Sequence, residues 1–228
     1  MARPLRDQSG GIRHVICRGN RRQRIFADDF DRDRYLWLLA AVCRAGRWRV
    51  LAYCLMTNHV HLVLETPEDT LSRGMQVMSG RYAQAFNSRH GYLGHLFQGR
   101  FHAELVEYAG YGLELARYVD LNPVRAGAAK RAAAWRWSSY RAHVGLEQPR
   151  PFHDACWAPS QLALDPQQAR RAYAQFVETG LGLGKPIPPE AQARSLLSQP
   201  DMSRGLTPGH VRRGQVLGGG SGAGQPRP

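Results

Sequence analysis

Two histidines stand one residue apart in His59-Val60-His61, and their imidazoles can converge on one ion only if the backbone turns both to the same side. A β-strand does this, because residues i and i+2 share a face, about 6.6 Å apart along the chain. Val60, Leu62 and Leu64 then fall on the opposite face and give the strand a side to bury. Two protein ligands seldom complete a site. A third oxygen or nitrogen donor, with open positions beside it, is what metal-assisted chemistry needs. Tyr118 and Asn122 are four residues apart, which on a helix brings them to one face. A tyrosyl hydroxyl beside a metal-bound phosphate can act as a nucleophile, since the ion neutralises developing charge, and the Asn122 side-chain oxygen could reach the same ion. Each residue also has a plain structural role open to it. The histidines could make ordinary hydrogen bonds on an exposed strand face, Tyr118 could pack, and Asn122 could cap a helix before Pro123. The chain has nine tyrosines, so residue type alone does not single out Tyr118. No HExxH pattern occurs, which argues against zinc peptidase chemistry.

The whole-chain balance narrows the partner. Lys and Arg number 31 against 18 Asp and Glu, a formal net charge of +13. Such a surplus concentrates anions around the protein and favours a polyanion, nucleic acid ahead of an anionic membrane, although solubility alone also tolerates it. Arginine predominates, and its planar fork suits phosphates and base edges. The amino end, from Met1 to Arg6, lacks the apolar stretch of a secretory signal, and no later segment offers about 20 continuous apolar residues for a membrane span. Cys17, Cys43, Cys54 and Cys156 have no CxxC spacing and read as small core residues in a reducing compartment. These features predict a cytoplasmic, nucleoid-associated protein with no membrane partner.

Positioning these residues requires a sheet and at least one helix. Ile12 to Cys17 reads as a strand followed by a polar turn through Arg22. Asp28 or Asp29 can cap a helix carrying Tyr35, Leu36, Leu38, Leu39, Val42 and Cys43 at helical spacing and closing near Gly46. Trp48 to Leu55 and His59 to Glu65, joined by Met56-Thr57-Asn58, form a hairpin pattern. Met75, Met78, Tyr82, Ala85 and Phe86 mark a second helix from about Leu71 to Asn87, and Phe101 to Val106 a last strand. A third helix from about Tyr108 is expected to stop at Leu121, since Pro123 lacks an amide hydrogen and disfavours helical geometry at Asn122. Strand–helix–strand–strand–helix–strand is the order of a ferredoxin-like α/β layer, an antiparallel sheet with packed helices, here followed by C-terminal extensions. Trp135 and Trp137 are expected as packing anchors more than base stackers, and Pro166 to Thr179 as a short helical module. From Gly180 glycine, proline, serine and glutamine dominate, which predicts a flexible basic tail.

Several stretches, taken in order, resemble the single-tyrosine transposases of the HUH superfamily, and among them the bacterial proteins associated with repetitive extragenic palindromes (REP). The likeness starts near Gly11-Ile12-Arg13-His14-Val15 and runs through Tyr140. Ala52 to His61, Phe97-Gln98-Gly99-Arg100-Phe101, Arg117 to Gly127 and Trp137-Ser138-Ser139-Tyr140 carry it. The resemblance implies that His59 and His61 bind a divalent cation, Mg²⁺ or Mn²⁺, with Asn122 as a further metal-facing position. It also implies that Tyr118 attacks a DNA phosphodiester to give a 5′-phosphotyrosine intermediate and a free 3′-hydroxyl. The implied partner is single-stranded DNA near a repetitive extragenic hairpin, handled by a monomer or a homodimer.

Arg13, Arg18, Arg21, Arg22, Arg24, Arg100 and Arg125 are DNA-contact candidates, with a solvated basic loop as the alternative for those near the first strand; Arg117 is expected on the solvent side of its helix. The expected division is a transposase/nuclease domain over 1–145, an accessory, partly helical region over 146–179 and a tail over 180–228. Competing functions are a noncatalytic DNA-binding or regulatory protein on the same fold and a metal-dependent DNA hydrolase.

Overall fold

The computed structural model describes residues 10–67, 70–106 and 109–183. The amino end through residue 9 and the tail from residue 184 lie outside the described residues.

Strand β1 (Gly11–Arg18) leads into a 3-10 turn at Asn20–Arg22 and helix α1 (Asp29–Gly46). The hairpin β2 (Arg49–Leu55) and β3 (His59–Thr66) follows, then α2 (Leu71–His90), β4 (His102–Leu105) and α3 (Ala109–Arg125). The sheet order is β2-β3-β1-β4 with every pairing antiparallel, the ferredoxin-like arrangement expected from the element order. Short helix α4 (Tyr140–His143) and α5 (Pro166–Thr179) complete the described chain.

Both faces of the sheet are covered. Val15, Cys17, Tyr53, Leu55, Val60, Leu62 and Leu64 point toward α1 and α2, where Tyr35, Leu39, Met78 and Tyr82 meet them. Full burial of side chains this size contributes about 1.5–3 kcal/mol each. Asp28 caps α1 by accepting from the Asp31 amide at 3.1 Å. Trp48 wedges between α1 and α2, its indole nitrogen donating to Thr70 Oγ1 at 2.8 Å. Only glycine permits this close approach, because a Cβ on Gly46 or Gly74 would come within 2.5 or 2.4 Å of the indole ring.

The other face packs on α3 and α5 through Ala52, Cys54, Val63, Leu115, Val119 and Tyr173. The outer edge of β2 is closed by two short segments instead of a fifth strand. Leu55 N donates to the Trp137 carbonyl at 2.8 Å and Ser139 N to the Tyr53 carbonyl at 2.9 Å, while Val50 bonds the Phe152–Asp154 stretch. Capping an open edge in this way removes unpaired backbone groups. Trp137, only 4% exposed, is a packing residue of the α1/α2 core.

The third helix departs from its expected end. It continues through Pro123 to Arg125. Proline withdraws one donor, the amide that would have reached Val119, but the ladder resumes at once with Ala126 N donating to the Asn122 carbonyl at 3.0 Å. The Asn122 side-chain amide adds a bond to the Tyr118 carbonyl at 2.9 Å. With Val119 and Leu121 buried on the same helix, tertiary packing outweighs the local proline penalty.

Candidate functional site

In the β1–β3 register, His61 stands opposite Ile16 and His59 opposite Arg18. Partners opposite one another share a face, so His59 and His61 lie on the face covered by α3 while Val60, Leu62 and Leu64 fill the other core, as the alternation predicts. His61 is buried, and His59, Tyr118 and Asn122 are half-buried. The His59 and His61 rings are 4.9 Å apart between centroids, and the Tyr118 ring meets His61 edge-on at 5.8 Å. Strand pairing and helix packing thus bring the histidine pair and the tyrosine to one place. Asn122 lies one helical turn beyond Tyr118 on the uninterrupted α3, so the i,i+4 relationship is kept.

Hydrogen bonds orient both imidazoles. Asn58 Nδ2 donates to the Arg22 carbonyl at 3.1 Å, which turns Asn58 Oδ1 to His59 Nδ1 at 2.7 Å. An amide oxygen only accepts, so the proton sits on His59 Nδ1 and the lone pair on Nε2. Burial, followed by the Arg18 charge, lowers the His59 pKa to about 4, leaving it neutral at pH 7. His61 Nδ1 meets His14 Nε2 at 2.9 Å, and His14 Nδ1 faces Glu104 Oε2 at 3.7 Å. The Glu104 carboxylate favours a proton on the near nitrogen of His14. The contact with His14 engages His61 Nδ1 and sets the orientation of its ring. A histidine pair whose Nδ1 atoms are both engaged, a tyrosine beside it and an amide side chain one turn from that tyrosine suit a divalent ion that keeps open positions. Among the described residues no group of three or more His, Cys, Asp or Glu side chains gathers as a ligand set.

Helix α3 is anchored from behind by a buried polar cluster that sequence reasoning missed. Asp120, fully buried between Tyr118 and Asn122 in the chain, accepts from Ser139 Oγ at 2.6 Å and Tyr173 Oη at 2.9 Å, and bonds His143 Nδ1 at 2.9 Å. His143 Nε2 lies 3.0 Å from the Leu51 carbonyl and 3.1 Å from His153 Nε2. These bonds tie α3 to β2, α4 and α5 and fix which face Tyr118 presents.

The candidate arginines scatter. Arg18, Arg21, Arg22 and Arg24 are exposed around the turn after β1, with Arg18 opposite His59. Arg21 and Arg22 adopt left-handed backbone, φ 49° and 59°, an uncommon conformation for non-glycine residues. Arg125 lies over the Tyr118 ring at 4.9 Å and donates to the Gly180 carbonyl at 3.2 Å. Arg100 is exposed beside Ser72, Met75 and Gln76 of α2, in a separate cleft. Arg13 is only 4% exposed and pairs with Leu64 and Leu105 on the sheet face opposite the histidine pair. Arg117, expected toward solvent, is instead 8% exposed, bonded to Glu114 and placed 4.2 Å from the Phe176 ring of α5, which covers it. None of the ion pairs among the described residues involves Arg18, Arg21, Arg22, Arg24 or Arg100, whereas Arg49, Arg89, Arg136 and Arg150 all meet carboxylates.

The family described as IS200-like transposase matches residues 8–122, a stretch that includes His59, His61, Tyr118 and Asn122. Among solved structures, a REP-associated tyrosine transposase bound to a REP hairpin shares the fold at a TM-score of 0.55 and 20% identity, over 69% of this chain and 92% of that one. A Deinococcus radiodurans R1 protein described as a transposase matches at 17% identity over 56% of this chain and 92% of its own, with a TM-score of 0.37. No curated protein matches the chain in sequence.

Proposed function

The chain belongs to the IS200-like transposase family, and on that premise we propose that it nicks and rejoins single-stranded DNA through Tyr118, with Mg²⁺ or Mn²⁺ held by His59, His61 and Asn122. The observation that carries this reading is the meeting of Tyr118 with His61, 5.8 Å between ring centroids, beside a histidine pair whose Nδ1 atoms are both engaged. A divalent ion bound there would neutralise charge on the scissile phosphate and orient it. The Tyr118 oxygen attacks phosphorus, the bond from phosphorus to the 3′ oxygen breaks, and the leaving strand departs as a 3′-hydroxyl. The 5′ phosphate stays on the tyrosine. A DNA 3′-hydroxyl attacking that linkage restores the tyrosine and joins the strands, so no nucleotide cofactor is needed to conserve the bond energy.

The proposed substrate is single-stranded DNA beside a repetitive hairpin, a reading supported by the REP hairpin bound to the structurally similar transposase. The proposed catalytic domain spans 1–145, with 146–179 as an accessory region that lays α5 against α3. Incubation of the protein with hairpin-bearing single strands and Mg²⁺ or Mn²⁺ should yield a denaturation-resistant protein–DNA adduct, absent with Tyr118→Phe. An adduct that persists in a folded, DNA-binding Tyr118→Phe protein overturns the assignment. Hairpin binding without any adduct, on the DNA that flanks the protein's own coding sequence, would point to a noncatalytic DNA-binding protein. A water-derived end without an adduct would point to a hydrolase.

A further inference from the structure

A cleft of about 580 Å³ opens between the turn after β1 and the carboxyl end of α2, lined among others by Arg22, Arg24, Asn87, Tyr92 and His95. We propose that it is a subsite for one unpaired nucleotide of the DNA strand, the base lying on Tyr92 and its phosphate facing Arg22 and Arg24. The inference rests on the reading of the chain as acting on single-stranded DNA, and adds to it a place and a recognition chemistry.

Four observations converge on that ligand. Tyr92 is 60% exposed yet not loose: Phe86, itself buried, stacks against it at 5.9 Å with planes 20° apart, and its amide is held by the Asn87 carbonyl at 3.0 Å. A supported ring with an open surface is a stacking platform, which any base can use once it is out of a duplex. Arg22 and Arg24 are exposed and take part in none of the ion pairs among the described residues, so their charge remains available to phosphate. The volume falls within the roughly 300–1,000 Å³ of sites for small organic ligands, room for a nucleotide and too confined for a duplex. Hydrogen bonds also connect the wall of the cleft to the histidine pair. The Arg22 carbonyl holds Asn58, and Asn58 holds His59; Asn20 N and Gln98 N bond the Leu96 and Arg18 carbonyls, pinning the cleft's far wall to the end of β1. The cleft wall and the histidine pair are thus held in one hydrogen-bonded frame.

The test uses the full-length Tyr118→Phe protein without divalent ion, so that only binding is read. A fluorescent 2-aminopurine is placed at successive positions in the single-stranded arms of a DNA hairpin. Quenching on binding is expected to peak at one position, and Tyr92→Leu should abolish that peak and weaken binding by about 5- to 100-fold. Tyr92→Trp should keep both. Arg22→Gln with Arg24→Gln should flatten the salt dependence without moving the quenched position. Unchanged affinity and quenching in a folded Tyr92→Leu protein overturn the subsite. If that result accompanies a normal Tyr118-dependent adduct in the protein that retains Tyr118, the subsite alone falls. If neither protein binds single-stranded DNA, both readings fall.

Discussion

The rings of His14 and His61 lie 14° from parallel, with His14 Nε2 2.9 Å from His61 Nδ1. His14 in turn faces Glu104 at 3.7 Å, so the relation between the two histidines is one link in a carboxylate–imidazole–imidazole series ending at a proposed metal ligand. Groups that hold a ligating imidazole in one tautomer typically matter about 10- to 100-fold in metal affinity. His14→Ala should therefore weaken Mn²⁺ binding, followed by electron paramagnetic resonance, by about that factor. His14→Gln, which can still bond His61, should recover part of the loss. Equal Mn²⁺ affinity in wild type and His14→Ala would show that His14 has no such part.

His14 also shows where sequence stops informing. Period-two alternation in β3 places His59 and His61 together without knowledge of any other strand, and helical spacing relates Tyr118 to Asn122 in the same way. His14 lies 47 residues from His61 and joins it only through the β1–β3 register, which no local pattern encodes. Asp120 was hidden for the same reason. Its partners Ser139, His143 and Tyr173 come from later elements that fold back on α3. At Pro123 a local helix rule competes with packing that only the assembled sheet supplies, and Arg13 is buried because alternation in β1 turns it away from His14 to the other face.

Arg125 should affect chemistry more than binding. Its guanidinium lies 4.9 Å from the centre of the Tyr118 ring, a contact of the kind that contributes about 0.5–2 kcal/mol. Arg125→Ala should slow adduct formation by about 3- to 30-fold while changing single-strand affinity less than Arg22→Ala does. A larger loss of affinity than of adduct rate would make Arg125 a DNA contact instead.

The exposed arginines around the β1 turn should be separable by salt. Each phosphate contact removed lowers the slope of log affinity against log salt by about 0.7 for single strands. Arg18→Gln, Arg21→Gln, Arg22→Gln and Arg24→Gln are each expected to reduce the slope in filter binding across salt concentrations. Arg13→Gln, at a buried position, should leave the slope alone and lower the melting temperature. A reduced slope with unaltered stability for Arg13→Gln would contradict its placement.

The Asp120 cluster should make thermal stability depend on Asp120 itself. Asp120→Ala leaves Tyr173 Oη and His143 Nδ1 without their shared buried acceptor, while Ser139 Oγ keeps the Tyr53 carbonyl, and loss of one partner in such a network typically costs about 1–3 kcal/mol per orphaned group. Chemical denaturation should show that loss with an adduct rate that falls as well, since α3 carries Tyr118. A stable Asp120→Ala protein would mean that apolar packing alone seats the helix.

Acid should destabilise the fold through two histidines. Burial, with the neighbouring His143 second, holds His153 well below its ordinary value of 6.5, and burial with Arg18 lowers His59 to about 4. Below pH 6.5 the unfolded chain takes up protons that the folded chain refuses, so the unfolded state binds more protons and stability falls as pH falls. Each such group contributes a slope of at most about 1.4 kcal/mol per pH unit, and neither contributes above pH 6.5. Because His59 charges in the folded state near pH 4, its share of the slope ends there. Asp28, held at about 2 by its bonds to Arg89 and the Asp31 amide, begins to add its own acid sensitivity only below its usual 3.8, leaving pH 4.5 to 6.5 as the window for the histidines. Urea unfolding across that window should give a shallower pH slope for His153→Gln than for wild type, and a shallower one still when His59→Gln is added. An unchanged slope in His153→Gln would mean that the folded protein accepts a proton on His153 as readily as the unfolded chain does.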